Sequence, residues 1–418
     1  MGRVEEYSMS VIKTKTSLLG VATLLSVFFT GAAWATDYGL NLPKGVTSTS
    51  HEVYDLHMLV LWICVVIGVG VFGVMFWSFI YHRKSKGAVA AHFHHNTKAE
   101  FIWTIIPVFI LVGMAIPATI VLKKMYNVSD SAMTIKVTGY QWRWRYDYVD
   151  QGFGFFSSLA SESSDISKLD SGKDPNTDPE YLREVDHPLV LPVNEKIRIL
   201  TTGADVIHSW WVPDLGWKKD AIPGFINQSW TKIDKPGVYR GQCAELCGKG
   251  HAYMPIVVKA VSQSDYKEWV KKKLAEKKQA AAGAKRTWSK DELMKHGKQV
   301  FESICAACHQ KNGLGVPGAF PPLAGGHKFS ASQAMLKRLE KHGFYKDGKI
   351  VLGPVPKHME IVLNGITGTA MQAFGKQLND VQLAAVITYE RNSFGNDTGD
   401  VIQPADIEKA KKASSAGQ

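Results

Sequence analysis

The chain has 418 residues and a formal net charge of +11, from 49 Lys and Arg against 38 Asp and Glu. That length is room for two or three domains. The basic excess comes without an aromatic-interleaved basic patch, which argues against nucleic-acid binding, and the 45% apolar content is unevenly spread, as in a membrane protein with soluble parts.

Lys13 and Lys15 precede the apolar run SLLGVATLLSVFF, and the small-x-small pattern Ala33-Trp34-Ala35 follows. This is the layout of a secretory signal peptide over residues 1–35, with cleavage after Ala35. A start at Met9 would remove the mixed-charge opening of Arg3, Glu5 and Glu6; a third membrane anchor is the plainer alternative. Next come 26 residues without formal charge from Leu56 to Tyr81, and 22 more from Phe101 to Leu122. Each exceeds the roughly 20 residues a helix needs to cross a bilayer core. Pro107 and Pro117 suit a membrane helix better than a soluble one. A transmembrane helix hairpin is therefore expected over residues 50–125. Arg83, Lys84, Lys86 and Lys98 between the spans outnumber Lys44, Lys123 and Lys124 outside them, which puts the loop in the cytoplasm. His92, His94 and His95 in that loop read as a solvated interfacial stretch, and Cys64 as a packed hydrophobe.

Over residues 130–262 the pattern turns to period two, in MTIKVTGYQWRWRYDYV, HPLVLPVNEKIRILTTG and MPIVVKAV. Such strands make an all-β antiparallel sandwich. Residues 156–186, rich in Ser and Asp, read as a long surface loop. The stretch GQCAELCGKGHAYM then gathers Cys243, Cys247, His251 and Met254, with His208 upstream as the one further obvious ligand. Thiolate and thioether select copper, zinc or iron–sulfur, and imidazole suits zinc or copper. Zinc sites pair such cysteines with a second Cys/His set, and a single blue copper uses only one Cys. Two thiolates can instead bridge two coppers, each completed by one imidazole and a weak axial donor, an arrangement suited to electron transfer.

Residues 263–288 are a Lys/Ala/Glu run expected to form a solvated helical linker or tether. A further domain is expected over residues 289–396. Ser289 and Glu292 have the form of a capping box, and Leu293, Gly297, Val300 and Phe301 follow at helical spacing. That helix runs into Cys305-Ala-Ala-Cys308-His309, the C-x-x-C-H signal for covalent haem c, in which the two cysteines form thioethers and the His takes the iron. Attachment of this kind occurs outside the cytoplasm, which agrees with the loop charges. Met335, Met359, Met371, His327, His342 and His358 are candidates for the sixth ligand. Residues 397–418 read as a loose polar tail.

HSWWVPDLGWKKDAIPGFINQSW followed by GQCAELCGKGHAYMP resembles subunit II of the haem–copper cytochrome c oxidases with their dinuclear CuA centre. With the C-terminal domain added, the whole resembles subunit II of a caa3-type oxidase: a two-helix hairpin, a cupredoxin-like sandwich, then an all-α class I cytochrome c domain. The resemblance implies that His208, Cys243, the carbonyl of Glu245, Cys247, His251 and Met254 bind two coppers. It implies that the Glu245 carboxylate helps bind magnesium at the subunit I boundary. GYQWRWRYDY resembles the family's aromatic stretch, in which Trp142 would receive the electron; the family usually shows a second aromatic next, where this chain has Arg143. HNTKAEFIWTIIP resembles the loop whose glutamate, here Glu100, lies at the mouth of a proton pathway. The end of the chain resembles class I cytochrome c, which points to Met371 as axial ligand, with Gln372 where Pro is frequent. The implied partners are subunit I, subunit III, the bilayer and an external donor such as a cytochrome c or a bc1 complex. The implied location is a bacterial plasma membrane with both redox domains on the periplasmic side. The implied function is to pass electrons towards oxygen reduction and proton translocation in subunit I. A CuA subunit of a nitric oxide reductase, or a membrane-bound copper-delivery or redox-sensing protein, are the competing readings.

Overall fold

The computed structural model describes residues 41–90, 92, 94–168, 171–366 and 369–416; the expected signal peptide lies outside them. Two long helices come first, α1 (Ser48–Tyr81) and α2 (Thr97–Tyr126). Thr47 opens α1 with a capping box closed by Ser50, and Asn96 caps α2 by accepting from the Ala99 N–H. Both satisfy helix-end donors that lack a partner within the helix. Between their ends the helices are apolar on all sides, with mean hydropathies of 2.8 and 2.6 over an 18-residue stretch of each. Large side chains stand uncovered, among them Val69 at 71% and Phe109 at 72% exposure. Helices apolar all round and without protein cover belong in lipid, so the chain is membrane-anchored. Pro107 and Pro117 both lie inside the continuous α2.

The strands that follow are β1 (Met133–Tyr140), β2 (Arg143–Tyr148), β3 (Phe153–Ser157), β4 (Leu189–Pro192), β5 (Ile197–Gly203), β6 (His208–Val212), β7 (Trp217–Ala221), β8 (Asn227–Thr231), β9 (Gly237–Cys243) and β10 (Pro255–Val261). A short helix, α3 (Ser161–Ile166), lies between β3 and β4. The chain forms two compact units, residues 1–142 with 188–261, and residues 143–187 with 262–418.

In the first unit β5 pairs with β1 on one side and β8 on the other. A second sheet runs β4-β10-β9-β6-β7. Strands β1 and β5 pack on β6 and β7, giving the sandwich. Its core is the inward set that the alternation specifies, with Ile135, Val137, Ile199, Leu191, Trp210 and Ile256 fully buried. The pairing is not purely antiparallel as expected: β1–β5 and β4–β10 are parallel. Alternation reports which face is buried and is blind to strand direction, so the sequence pattern could not distinguish the two.

In the second unit β2 and β3 form an antiparallel hairpin. The linker helix α4 (Gln263–Gly283) is docked at its start. Trp269 packs 5.1 Å from Tyr148 and 5.6 Å from Phe153, centroid to centroid, and Tyr266 is buried. Only the Lys-rich remainder fits the expected solvated tether. The expected polar loop at 156–186 holds α3, which buries Ser163 and Ile166. The helices α5 (Lys290–Val300), α6 (Ala306–His309), α7 (Gln333–Lys341), α8 (Val355–Asn364), α9 (Asp380–Arg391) and α10 (Pro404–Ala416) complete the chain. Ser289 and Glu292 make the expected capping box on α5. Helices α5 and α9 touch closely through Gly297, where a Cβ would lie 2.1 Å from the Ala385 carbonyl oxygen. Leu293 and Phe301 interlock there with Leu383, Ala384 and Ile387. The expected loose tail is instead largely α10, whose Ile407 is fully buried in the same core, along with Ile402 just before it.

Candidate metal centre and haem crevice

Strands β9 and β10 are antiparallel neighbours, and the loop joining them, 244–254, turns back on itself. The Cys243 N–H donates to the Met254 carbonyl at 3.3 Å, so Cys243 and Met254 meet at the loop's neck. Strand β6 flanks β9, with Trp210 opposite Cys243, and this register delivers His208. The result is a continuous donor cluster. Cys243 Sγ lies 3.9 Å from His208 Nδ1, 3.3 Å from the Glu245 carbonyl oxygen and 3.9 Å from Cys247 Sγ. Cys247 Sγ lies 3.5 Å from His251 Nδ1 and 3.5 Å from Met254 Sδ. Both thiols, His208 and Met254 are buried. Each sulfur therefore has its own imidazole, with Glu245 carbonyl and Met254 as further donors at opposite ends.

The protonation of this group favours a cation. Chiefly the hydrogen bond from the Cys247 thiol, with those from His208 and the backbone at Glu245 behind it, pulls the Cys243 pKa down to about 3 against burial. The Cys243 charge and burial in turn drive the Cys247 pKa upward. Two thiolates side by side are stable only with positive charge between them, which is what a metal brings. The donor set thus fits soft, imidazole-tolerant metal such as copper.

Several residues that the motif reading missed shape the cluster. Asp205 accepts from His208 Nε2 at 2.9 Å, leaving Nδ1 for a metal, and accepts from the Gln141 N–H at 2.8 Å. Such an outer carboxylate fixes the tautomer and ring angle of a ligating histidine. Burial disfavours charge on His208, but Asp205 and Cys243 outweigh it and raise its pKa. Gly139 is needed for room, because a Cβ there would sit 2.6 Å from the His208 ring. Trp142 is half-buried and donates from Nε1 to the Cys247 carbonyl at 3.1 Å, beside a 2.8 Å bond from Gln141 Nε2 to the same oxygen. Its indole lies over Gly250, where a Cβ would come within 2.3 Å of the ring. The spacing of Asp205 three residues before His208 was visible in the sequence; its orientation was not.

The second site is an apolar crevice lined by Cys305, Cys308, His309, Pro321, His358 and Met371 among others. A π-helical turn, Phe301–Cys305, carries α5 into α6 and so presents Cys305, Cys308 and His309 together. His309 Nδ1 bonds the Pro321 carbonyl at 2.9 Å, which leaves Nε2 for iron, and burial lowers its pKa towards the neutral ligand form. The crevice thus fits a haem attached at the two cysteines. Met335, Met371 and His358 line it, whereas Met359 packs into the helical core. His358 Nε2 is tied to Glu390 at 2.9 Å, a buried pair the sequence did not signal. Glu245 is exposed next to the first cluster, and Glu100 is exposed in the first turn of α2.

Residues 133–261 match the family model for cytochrome c oxidase subunit II, periplasmic domain, and residues 35–121 that for its transmembrane domain. Residues 292–389 match the model described as cytochrome c oxidase, cbb3-type, subunit III. The probable cytochrome c oxidase subunit 2 of Rickettsia bellii (strain RML369-C) is 36% identical over 265 residues, covering 63% of this chain and 94% of the relative. Cytochrome c oxidase subunit 2 of Cyanidium caldarium is 39% identical over 232 residues, covering 54% of this chain and 88% of the relative. The crystal structure of the periplasmic domain of subunit II of cytochrome oxidase of Bradyrhizobium japonicum aligns with 42% identity and a TM-score of 0.31, over 36% of this chain and 99% of that one. An apolar hairpin, a β-sandwich with a paired-thiol cluster and a C-x-x-C-H helical domain agree with the family models and these relatives: the chain belongs to the cytochrome c oxidase subunit II family and carries a cytochrome c domain at its C-terminal end.

Proposed function

We propose that this chain is the electron-accepting subunit of a caa3-type haem–copper oxidase in a bacterial plasma membrane. It takes single electrons from an external donor, such as a cytochrome c or a bc1 complex, and hands them to subunit I. Oxygen reduction to water and proton translocation take place in that partner. The observation that carries this reading is the convergence of His208, Cys243, the Glu245 carbonyl, Cys247, His251 and Met254 into one donor cluster.

When bound, a dinuclear copper pair and a covalent haem c each store and release one electron without making or breaking substrate bonds. The protein's part is to hold and orient. Cys243 and Cys247 would hold the coppers through their sulfurs, His208 and His251 through one imidazole each, and Met254 and the Glu245 carbonyl would complete the donor set. Asp205 keeps His208 turned to the cluster. Trp142 reaches the cluster through its bond to the Cys247 carbonyl and is the residue through which the sandwich receives electrons. Cys305 and Cys308 would tether the haem, and His309 and Met371 would hold its iron. A thioether in place of a second imidazole raises the reduction potential. The exposed carboxylate of Glu245 would help bind a magnesium ion shared with subunit I, and Glu100 would serve the mouth of a proton path there.

Oxygen uptake by the purified complex tests this. Cys247→Ser removes a bridging thiolate and leaves the haem residues untouched. The donor should still reduce the haem, while oxygen uptake falls to background. Sustained oxygen uptake by that variant would contradict the route.

A further inference from the structure

Arg143 follows Trp142 at the position where the family usually carries a second aromatic. A cation at the start of a strand is normally solvated, yet Arg143 is only 6% exposed. Its guanidinium lies 4.2 Å from the Phe156 ring centroid and 5.8 Å from that of Phe374. It also donates from Nη2 to Gln377 Oε1. Gln377 donates in turn from Nε2 to the Ala373 carbonyl at 2.6 Å and to Gln372 Oε1 at 3.4 Å. Residues 372–377 are the segment directly after Met371.

A second contact reaches the segment after His309. Lys311 Nζ lies 3.0 Å from Asp165 Oδ1, on α3 of the inserted loop. Residues 143–168 therefore touch the haem domain just after His309 and just after Met371. The two contacts differ in kind. The Lys311 and Asp165 side chains are 50% and 41% exposed, so solvent and salt screen that pair and it shifts an equilibrium by less than about fivefold. Arg143 is enclosed, and a guanidinium between two rings with a fixed amide acceptor is the type of contact that dominates an interface.

We propose that Arg143 is a positioning residue that anchors the chain's own haem domain on strand β2, one residue along from Trp142, with Asp165–Lys311 as a weak rim. A guanidinium covered in this way is unavailable to an external donor. The inference rests on the function proposed above.

The test uses the intact, purified oxidase. A photoreductant injects one electron into the haem, and equilibration with copper is followed optically. The wild-type rate should stay constant as salt rises to about 0.5 M, where exposed charges are screened. Arg143→Ala should slow it at least about tenfold, equivalent to about 1.4 kcal/mol of docking. Arg143→Lys should restore part of the rate, since it keeps a cation between the rings but loses the planar fork. Asp165→Asn should change it less than about fivefold. Hydrogen exchange gives a readout free of electron transfer: in Arg143→Ala and Gln377→Ala, amides of residues 372–377 should exchange faster while those of 383–387 do not. Unchanged rates and exchange in both variants would overturn the anchor, as would a loss in Asp165→Asn as large as in Arg143→Ala. If the wild-type complex lacked copper or haem, the proposed function would fail instead, and the exchange measurement would still judge the anchor.

Discussion

At the scale of single residues, the donor cluster depends on groups that are not themselves among its donors. Asp205 holds His208 by its far nitrogen, so Asp205→Ala should lower copper affinity about 10- to 100-fold. Competition with a chromophoric chelator measures this, and an unchanged affinity would remove Asp205 from the account. Protons compete at the same place. The raised pKa of His208, set against burial by Asp205 and Cys243, and the raised pKa of Cys247 mean that copper uptake releases protons. Affinity should therefore rise with pH. In the metal-free chain the sign is opposite for His208. A folded pKa above the unfolded 6.5 gives stability that is complete below 6.5 and is lost as pH rises through the folded value. Urea titrations of metal-free protein from pH 5 to 8 read this slope, and His208→Gln should flatten it. The donors themselves were legible because four stand within one short segment. Asp205, Gly139 and Gly250 were not, since their importance comes from which atoms strand pairing brings against His208 and Trp142.

At the scale of elements, the sequence pattern served well where one face is buried and poorly where the signal is sparse. The two spans, the strands of the sandwich and α5 were all readable from period and capping. The direction of β1 against β5 was not, because parallel and antiparallel strands alternate alike. The C-terminal segment was misread for a different reason. Its composition is polar, and only isolated apolar residues mark it, so it has the appearance of a solvated tail. Ile402 and Ile407 nevertheless insert fully into the core built by α5 and α9, and Lys411 bonds Asp380 at 2.7 Å. Ile407→Ala should cost about 2–5 kcal/mol, the range for deleting a large buried aliphatic side chain. The thermal transition of the haem domain reads this loss. A shift within error would mean that α10 contributes nothing to the domain.

At the scale of the whole molecule, one polypeptide combines a lipid-facing hairpin, a sandwich with a paired-thiol cluster and a haem-type helical domain. The hairpin fixes the soluble parts to a membrane. Under the proposed function, this chain carries electrons and a partner uses them. The measurement that tests this most directly is metal content with low-temperature EPR on the full-length chain after copper loading and haem attachment. The account predicts two coppers for each haem iron and a signal from one electron shared equally by two copper nuclei. One copper per iron, with the signal of an isolated copper, would contradict the dinuclear centre and the electron-carrying role built on it.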